Sequence, residues 1–247
     1  MIDNASISSA QILPPKLTIV PAQNRHRDQL HTKRTYFLIK RFVDITFSLA
    51  FIVTVLSWLL PLLCILIKLS SKGPVFFLQK RIGFAGRSFT CYKLRTMVIN
   101  GEADTRQASE NDNRITRFGH FLRKSNMDEF PQFFNILKGD MSIIGPRPHM
   151  YSDCRKFSTV IPGYKFRNMV KPGLTGLAQV KGYHGPTTTR NCILMRYHWD
   201  NYYIRHIGWV LDSKIILYTI IQRFFAVTRY LLKTLPSVKK STEALSN

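Results

Sequence analysis

Residues 45–67 read ITFSLAFIVTVLSWLLPLLCILI, without a single charged side chain. Wound as a helix, this stretch would reach roughly 34 Å at ~1.5 Å per residue, enough to cross the hydrocarbon core of a bilayer. Soluble helices are seldom apolar on every face, so a membrane segment is favoured over a buried core helix. A secretory signal does not fit: the run starts far from Met1, is too long, and lacks a small-residue cleavage site. Pro61 has no backbone donor and crowds the preceding turn, which predicts a bend or break there. Ser57, four residues earlier, can take up part of the disrupted hydrogen bonding.

Basic residues flank the run on both sides: Lys33, Arg34, Lys40 and Arg41 before it, Lys68, Lys72, Lys80 and Arg81 after it. A simple span would leave one group on the disfavoured side of the membrane. A helix-break-helix hairpin that enters and leaves the cytosolic leaflet satisfies the positive-inside tendency at both ends. Asp44, at the entrance, suits a cap on the first helical turn.

Outward from the hairpin, residues 1–34 are polar and proline-dotted, and predict a mobile cytosolic tail. Residues 73–100 offer two apolar runs around a glycine-containing turn at 83–86, the pattern of a β-hairpin. Residues 101–113 form an acidic loop, and the glycines and prolines of 155–186 predict mostly loops. Residues 214–233, KIILYTIIQRFFAVTRYLLK, suit an amphipathic helix. It could lie in the membrane interface or pack on the domain core, and the pattern alone does not choose. The last residues, PSVKKSTEALSN, read as a disordered tail. The expected fold is α+β: a re-entrant membrane helix-break-helix hairpin (35–72), a small cytosolic α/β domain (73–213), and interfacial amphipathic helices with a tail (214–247).

The chain of 247 residues holds 36 Lys and Arg against 14 Asp and Glu, a formal charge of +22. Such a surplus points to polyanionic partners: phosphate-bearing substrates, anionic membrane or nucleic acid. Its four cysteines show no CxxC spacing, which excludes a disulfide framework or zinc knuckle and suits reduced thiols facing a cytosol. No Walker loop, GxGxxG, HExxH or GxSxG is present. The seven histidines read as surface or supporting groups rather than metal ligands.

Against that cationic background stands one acid doublet, Asp128 and Glu129, in RKSNMDEFPQFFNILKGDMSIIGPRP. Pro131 and Gly139 frame a helix of about residues 128–138 with Phe133, Phe134 and Leu137 inward, which puts the doublet in its first turn. There it could simply cap the helix, as acids often do. Its neighbours argue for more. Arg114, Arg117, Arg123, Lys124 and Arg147 crowd the same stretch, GPRP at 145–148 stiffens the turn under Arg147, and Lys93 and Arg95 end the expected strand. Carboxylates among guanidinium groups suggest Mg²⁺-assisted phosphoryl transfer, with the metal and cations neutralising charge and a carboxylate free to attack. A non-catalytic binder of lipid or nucleic acid would gain nothing from carboxylates there, and no recognition helix or RNA-binding module is visible.

Six blocks carry a resemblance: KRFVDITFSLA (40–50), GPVFFLQKRIG (73–83), FTCYKLRTM (89–97), RITRFGHFLRKSNMDEFPQFFNILKGDMSIIGPRP (114–148), KPGLTGLAQVKG (171–182) and YYIRHIGWVLDSKII (202–216). In this order they resemble the bacterial sugar transferase family, monotopic polyprenyl-phosphate phosphoglycosyl transferases of the undecaprenyl-phosphate glucose or galactose phosphotransferase type. The resemblance implies transfer of a sugar 1-phosphate from a UDP-sugar to undecaprenyl phosphate, with release of UMP. This would be the first membrane step of exopolysaccharide, capsule or O-antigen synthesis. It implies Asp128 as nucleophile, through a phosphosugar-aspartyl intermediate, and Glu129 as the Mg²⁺ ligand. Lys93, Arg123 and Arg147 are implied to bind phosphate, with Arg95 beside them, and Pro61 to break the re-entrant helix. Direct transfer in a ternary complex, with Asp128 as base, is the alternative within the same chemistry. The implied partners are UDP-sugar, undecaprenyl phosphate and membrane lipid, with a homodimer left open and nucleic acid excluded. The implied place is the bacterial inner (cytoplasmic) membrane, with the catalytic domain on its cytosolic face. Larger relatives carry several N-terminal spanning helices and a further soluble domain, where this sequence has a short tail. Leu177 stands where many relatives have Trp, and HGPT at 184–187 departs from the Arg-Gly-Glu-Thr of glucose-type members. These departures leave the sugar open.

Overall fold

The computed structural model describes residues 30, 32–99, 101, 112–183, 185 and 189–234. The expected tails up to residue 29 and from residue 235, most of the acidic loop, and three residues of the HGPT segment lie outside these. The apolar stretch is helical throughout: α1 (Arg34–Phe51), a π turn (Ile52–Leu56) and α2 (Ser57–Ser70). Among the described residues it is the one helix, Arg34–Ser70, long and apolar enough to cross a membrane.

Two expectations change here. Helix continues through Pro61, and the irregularity is the π turn just before it. Pro61 leaves the Ser57 carbonyl without its usual donor, and a widened turn is one way a helix absorbs a local mismatch. Thr54 Oγ1 donates to the Ala50 carbonyl (2.7 Å) and Ser57 Oγ to that of Val53 (2.6 Å). Asp44 is no cap, because the helix begins ten residues earlier; buried in mid-helix, it accepts the Ile143 N–H at 2.9 Å.

That contact is one of several polar joints between α1 and the rest of the chain. Tyr36 Oη (2.6 Å) and Lys40 Nζ (2.5 Å) both donate to Asp212 Oδ2, while Tyr203 Oη donates to Oδ1 at 3.0 Å. Arg41 donates to the carbonyls of Ile136 (2.5 Å) and Leu137 (2.8 Å). Elsewhere along the apolar helix Leu38, Phe42, Phe47, Val53, Trp58 and Ile65 are exposed.

The expected hairpin forms as β1 (Phe76–Ile82) and β2 (Ser88–Leu94), antiparallel, with Phe77 opposite Lys93 and Ile82 opposite Ser88. Its turn places Ala85 at φ 54 and Gly86 at φ 78. After α3 (Arg117–Ser125), a 3₁₀ turn (Met127–Glu129) and α4 (Gln132–Lys138) comes β3 (Ser142–Ile144), which pairs in parallel with β4 (Gly173–Thr175). A Cβ on Gly145 would lie 2.4 Å from the Lys171 carbonyl oxygen, and one on Gly173 would lie 2.1 Å from the Gly145 nitrogen. Only glycine permits this backbone approach, and it fixes the turn that carries Arg147.

The segment 155–186 is richer in helix than expected: α5 (Tyr151–Val160), a 3₁₀ segment (Tyr164–Met169) and α6 (Leu177–Val180). Its glycines and prolines punctuate short elements rather than replace them, as Gly163 does at φ 74 before the 3₁₀ segment. Two longer helices follow, α7 (Arg190–Arg205) and α8 (Trp209–Thr234). Apolar side chains close the core in clusters around Tyr203 and Ile215, around Cys91 and Phe133, and around Ile67 and Leu122. Along α8, Asp212 and Ile215 are buried, whereas Leu217, Ile220, Phe224 and Phe225 are exposed. The helix therefore packs on the core along one face and leaves an apolar face uncovered.

Candidate active site

The acid doublet is held by a break between two helices. Thr116 Oγ1 accepts the Gly119 N–H at 2.9 Å and caps α3, which ends at Asn126 in the left-handed conformation (φ 60). Asparagine tolerates that conformation better than most residues. The Glu129 N–H then bonds the Asn126 carbonyl (3.1 Å) and the Phe130 N–H that of Met127 (3.2 Å). Asp128 and Glu129 thus occupy a separate 3₁₀ turn, not the first turn of a helix over 128–138. The reason is Pro131: without an N–H it cannot bond back to Met127, so the α-helix starts only at Gln132.

Gly139 ends α4 as expected, at φ 91. The buried face differs from expectation. Gln132, Phe133, Asn135 and Ile136 are buried, and Phe134 and Leu137 only half so. Asn135 is inside because it satisfies strand backbone: its Oδ1 accepts the Tyr92 N–H (3.0 Å) and its Nδ2 donates to the Thr90 carbonyl (2.7 Å). Those bonds fasten α4, the helix that follows the doublet, to the strand that carries Lys93.

The two carboxylates have opposite surroundings. Glu129 is 5% exposed and gripped by cations. Its Oε1 accepts from Lys93 Nζ (2.6 Å) and Arg147 Nη2 (2.5 Å), and its Oε2 from Arg147 Nη1 (3.1 Å). Burial alone would raise the Glu129 carboxyl, but the Arg147 and Lys93 charges override it and hold it well below the usual range. Asp128 receives no hydrogen bond from any described residue. Burial pushes its carboxyl up to about 6; the Lys93 charge opposes the rise and Glu129 adds to it.

Both acids line a cleft of about 480 Å³, together with Lys93, Arg123, Arg147 and Arg196. Arg123 donates through Nε to Thr96 Oγ1 (2.8 Å), and its terminal nitrogens have no hydrogen-bond partner among the described residues. Lys93, Arg123 and Arg147 are therefore brought together as the sequence suggested. Arg95 also borders the cleft, but Nη1 and Nη2 are bound to the carbonyls of Lys72 (2.7 Å) and Ser71 (2.6 Å), just past α2. Its place is a tie between the cleft wall and the apolar helix rather than an open phosphate ligand, because the free carbonyls at a helix end attract a guanidinium. A larger cavity of about 830 Å³ lies beside α1; its walls are mostly apolar and hold neither acid of the doublet.

Several cleft residues escaped the sequence reading. Arg196 reaches in from α7 and donates to the carbonyls of Tyr183 (2.9 Å) and Gly185 (2.6 Å). Arg81 donates to the Pro148 carbonyl (2.6 Å), and buried His149 bonds Tyr164 through Nδ1. Burial, and then the Arg167 charge, hold His149 well below its ordinary range, so the ring is neutral. The period of a strand puts Gln79 and Arg81 on one face, a signal that could have flagged Arg81. Nothing local marks Arg196.

Among the described residues, no group of three His, Cys, Asp or Glu could hold a metal. Magnesium asks for less than that: one or two carboxylates, several waters and the substrate's own phosphates. Glu129 Oε2 has a single donor, at 3.1 Å, and Asp128 has none. These open lone pairs fit an ion that arrives with phosphate, not a standing all-protein site.

The bacterial sugar transferase family model matches residues 35–226. The chain is 42% identical over 196 residues to a UDP-glucose:undecaprenyl-phosphate glucose-1-phosphate transferase of Klebsiella pneumoniae, covering 78% of this chain and 42% of that protein. It is 40% identical to a UDP-N-acetylgalactosamine-undecaprenyl-phosphate N-acetylgalactosaminephosphotransferase of Aeromonas hydrophila, covering 81% and 48%. It is 38% identical to the exopolysaccharide production protein PSS of Rhizobium leguminosarum bv. phaseoli, covering 74% of this chain and 94% of that one. The chain spans less than half the length of the first curated relatives it matches. With the family match taking in the apolar helix, the acid doublet, the GPRP turn and most of α8, this chain belongs to the bacterial sugar transferase family.

Proposed function

We propose that this protein transfers a sugar 1-phosphate, glucose or galactose, from a UDP-sugar to undecaprenyl phosphate and releases UMP. The observation that carries the reading is the asymmetry of the doublet: a clamped, ionised Glu129 beside an Asp128 with no hydrogen-bond donor, on one cationic cleft. A carboxylate without donors keeps its lone pairs available as a nucleophile. Asp128 would attack the sugar-proximal phosphorus, forming a carboxyl–phosphate bond as the phosphoanhydride bond breaks and UMP leaves. A phosphate oxygen of undecaprenyl phosphate would then attack the same phosphorus, free Asp128 and leave the sugar on a lipid diphosphate. One phosphoanhydride replaces another, so the site needs mainly positioning and charge neutralisation. Arg123, with its terminal nitrogens open, is suited to the incoming phosphates; Lys93 and Arg147 keep Glu129 ionised and in place. A magnesium ion, bound by Glu129 with Asp128 alongside, would supply further neutralisation of phosphate charge.

The same reading assigns residues 35–72 to a re-entrant hairpin in the cytosolic leaflet, 73–213 to the catalytic domain and 214–247 to an interfacial helix and tail. In its support, both ends of the apolar helix join the same domain: Tyr36 and Lys40 through Asp212, and Ile67 through Leu94 and Leu122. The Arg95 tie to the end of α2 would hold the cleft near the headgroups, where a lipid phosphate is found. The exposed apolar face of α8 suits the interface plane. The site would then belong to the cytosolic face of the bacterial inner membrane. Its product would enter exopolysaccharide, capsule or O-antigen assembly.

The test is UMP release from the purified protein with undecaprenyl phosphate and, in turn, UDP-glucose, UDP-galactose and UDP-N-acetylgalactosamine, with and without a magnesium chelator. Repeated turnover of UMP that depends on the lipid acceptor, beyond the one equivalent released as Asp128 is loaded, with one sugar preferred and loss on chelation, is expected. No UMP with any of the three would overturn the reading.

A further inference from the structure

Arg223 lies in the exposed apolar stretch of α8, between Ile220 and Ile221 on one side and Phe224 and Phe225 on the other. Its own side chain is half-buried and turns back toward the acid doublet. Nη1 donates to Asn126 Oδ1 at 2.6 Å, across 97 residues of sequence. Asn126 is the left-handed residue that ends α3, and its carbonyl closes the turn carrying Asp128 and Glu129. Arg223 is absent from the walls of the cleft. It is nevertheless close enough for Glu129, Arg147 and Asp128 all to act on its charge.

Resting on the reading above, we propose that Arg223 is a positioning residue for Asp128. It grips the Asn126 amide, fixes the left-handed turn, and so ties the orientation of the nucleophile to the seating of α8. The physical need is clear. A non-glycine residue at positive φ is held there only by its surroundings. The 3₁₀ turn that follows is short, and hydrogen-bond geometry in such turns is poor. A charge-assisted bond from a separate helix removes the freedom that the turn would otherwise keep. Since α8 also presents the uncovered apolar face, its docking on lipid would set where Arg223 stands. A small error in that placement would be felt at the reacting phosphorus.

Kinetics of the full chain in lipid nanodiscs test this. Arg223→Ala should lower kcat by about 10- to 100-fold and leave KM for the UDP-sugar within about twofold. Asn126→Gly keeps the backbone freedom but removes the acceptor, and should give a similar loss. The double variant should be no worse than either single one, since both break one link. Arg223→Lys, which can still donate to Oδ1, should recover part of the rate. Lys214→Ala, an exposed charge on the same helix, should leave kcat unchanged. A normal kcat in Arg223→Ala, or losses that multiply in the double variant, would overturn the proposal. So would an effect on KM alone, which would make Arg223 a substrate ligand. If Arg223→Ala does not fold, Asn126→Gly and Arg223→Lys carry the test. Asp128→Asn run in parallel separates the two levels: if it is inactive while Arg223→Ala is normal, this inference alone fails, and if it is active the reading beneath it fails too.

Discussion

Asp212 and the doublet are both buried carboxylate hubs, and they differ in what surrounds the acid. At Asp212, Tyr36 and Lys40 donate to one oxygen and Tyr203 to the other, all from α1 and α7, and none of these residues lines the cleft. At the doublet, Lys93 and Arg147 donate to Glu129, while Asp128 next to it receives nothing from the described residues. Satisfied and enclosed, a carboxylate is a joint, and Asp212 locks the apolar helix onto the domain. Paired beside an open neighbour on a cationic cleft, it is placed where the proposed reaction would need it. Charge burial alone does not distinguish them; the unfilled lone pairs do.

The comparison predicts opposite consequences for the two acids. Asp128→Asn should reduce UMP release by about four orders of magnitude, the range expected when a covalent nucleophile is lost, without lowering the thermal midpoint. Asp212→Ala should do the reverse. It leaves Lys40 buried without its counter-charge and should cost about 3 kcal/mol of stability, with little change in kcat per folded molecule. Thermal unfolding in nanodiscs beside single-turnover kinetics checks both; an active Asp128→Asn, or an Asp212→Ala as stable as the parent, would break the contrast.

The doublet should also show in the pH profile. The Asp128 carboxyl is raised to about 6, so it is ionised above that pH and protonated below it. As a nucleophile it should lose about tenfold in kcat/KM per unit below pH 6, while Glu129, held well below the usual range, stays ionised through that window. A profile flat to pH 5 would remove Asp128 as the titrating group.

Smaller effects sharpen the picture. Arg123→Ala should raise KM for the UDP-sugar by about 10- to 100-fold, as befits a charge-assisted contact to phosphate, with no loss of stability. Smallest of all, Pro61→Ala should move a fraction of the N-termini across the membrane, read by accessibility labelling. An unchanged topology would show that the basic flanks and the Asp212 joint suffice.

How much of this could be read in the residues follows the same division. The apolar helix, the β-hairpin and the doublet with its cations were legible because each is local: a charge-free run, two apolar runs around glycine, one acidic pair. The start of α4 was misplaced because Pro131 reads equally well as the first helical residue and as the wall behind a 3₁₀ turn. Asn135 was missed because its burial answers strand backbone brought in from 45 residues away. Arg196 and Arg223 were missed for the same reason: α7 and α8 carry them to the site from elsewhere in the chain. Arg95 was legible as a cation but not as a tie, since its partners are carbonyls at a helix end.

The claim that Asp128 forms a covalent bond to the sugar phosphate has a direct measurement. Full-length protein incubated with phosphate-labelled UDP-sugar, without lipid acceptor, is quenched, digested and mapped by mass spectrometry. A phosphosugar on the peptide carrying Asp128, chased into lipid when undecaprenyl phosphate is added, is the predicted result. Lipid-dependent UMP release at full rate with no adduct on Asp128 would contradict it.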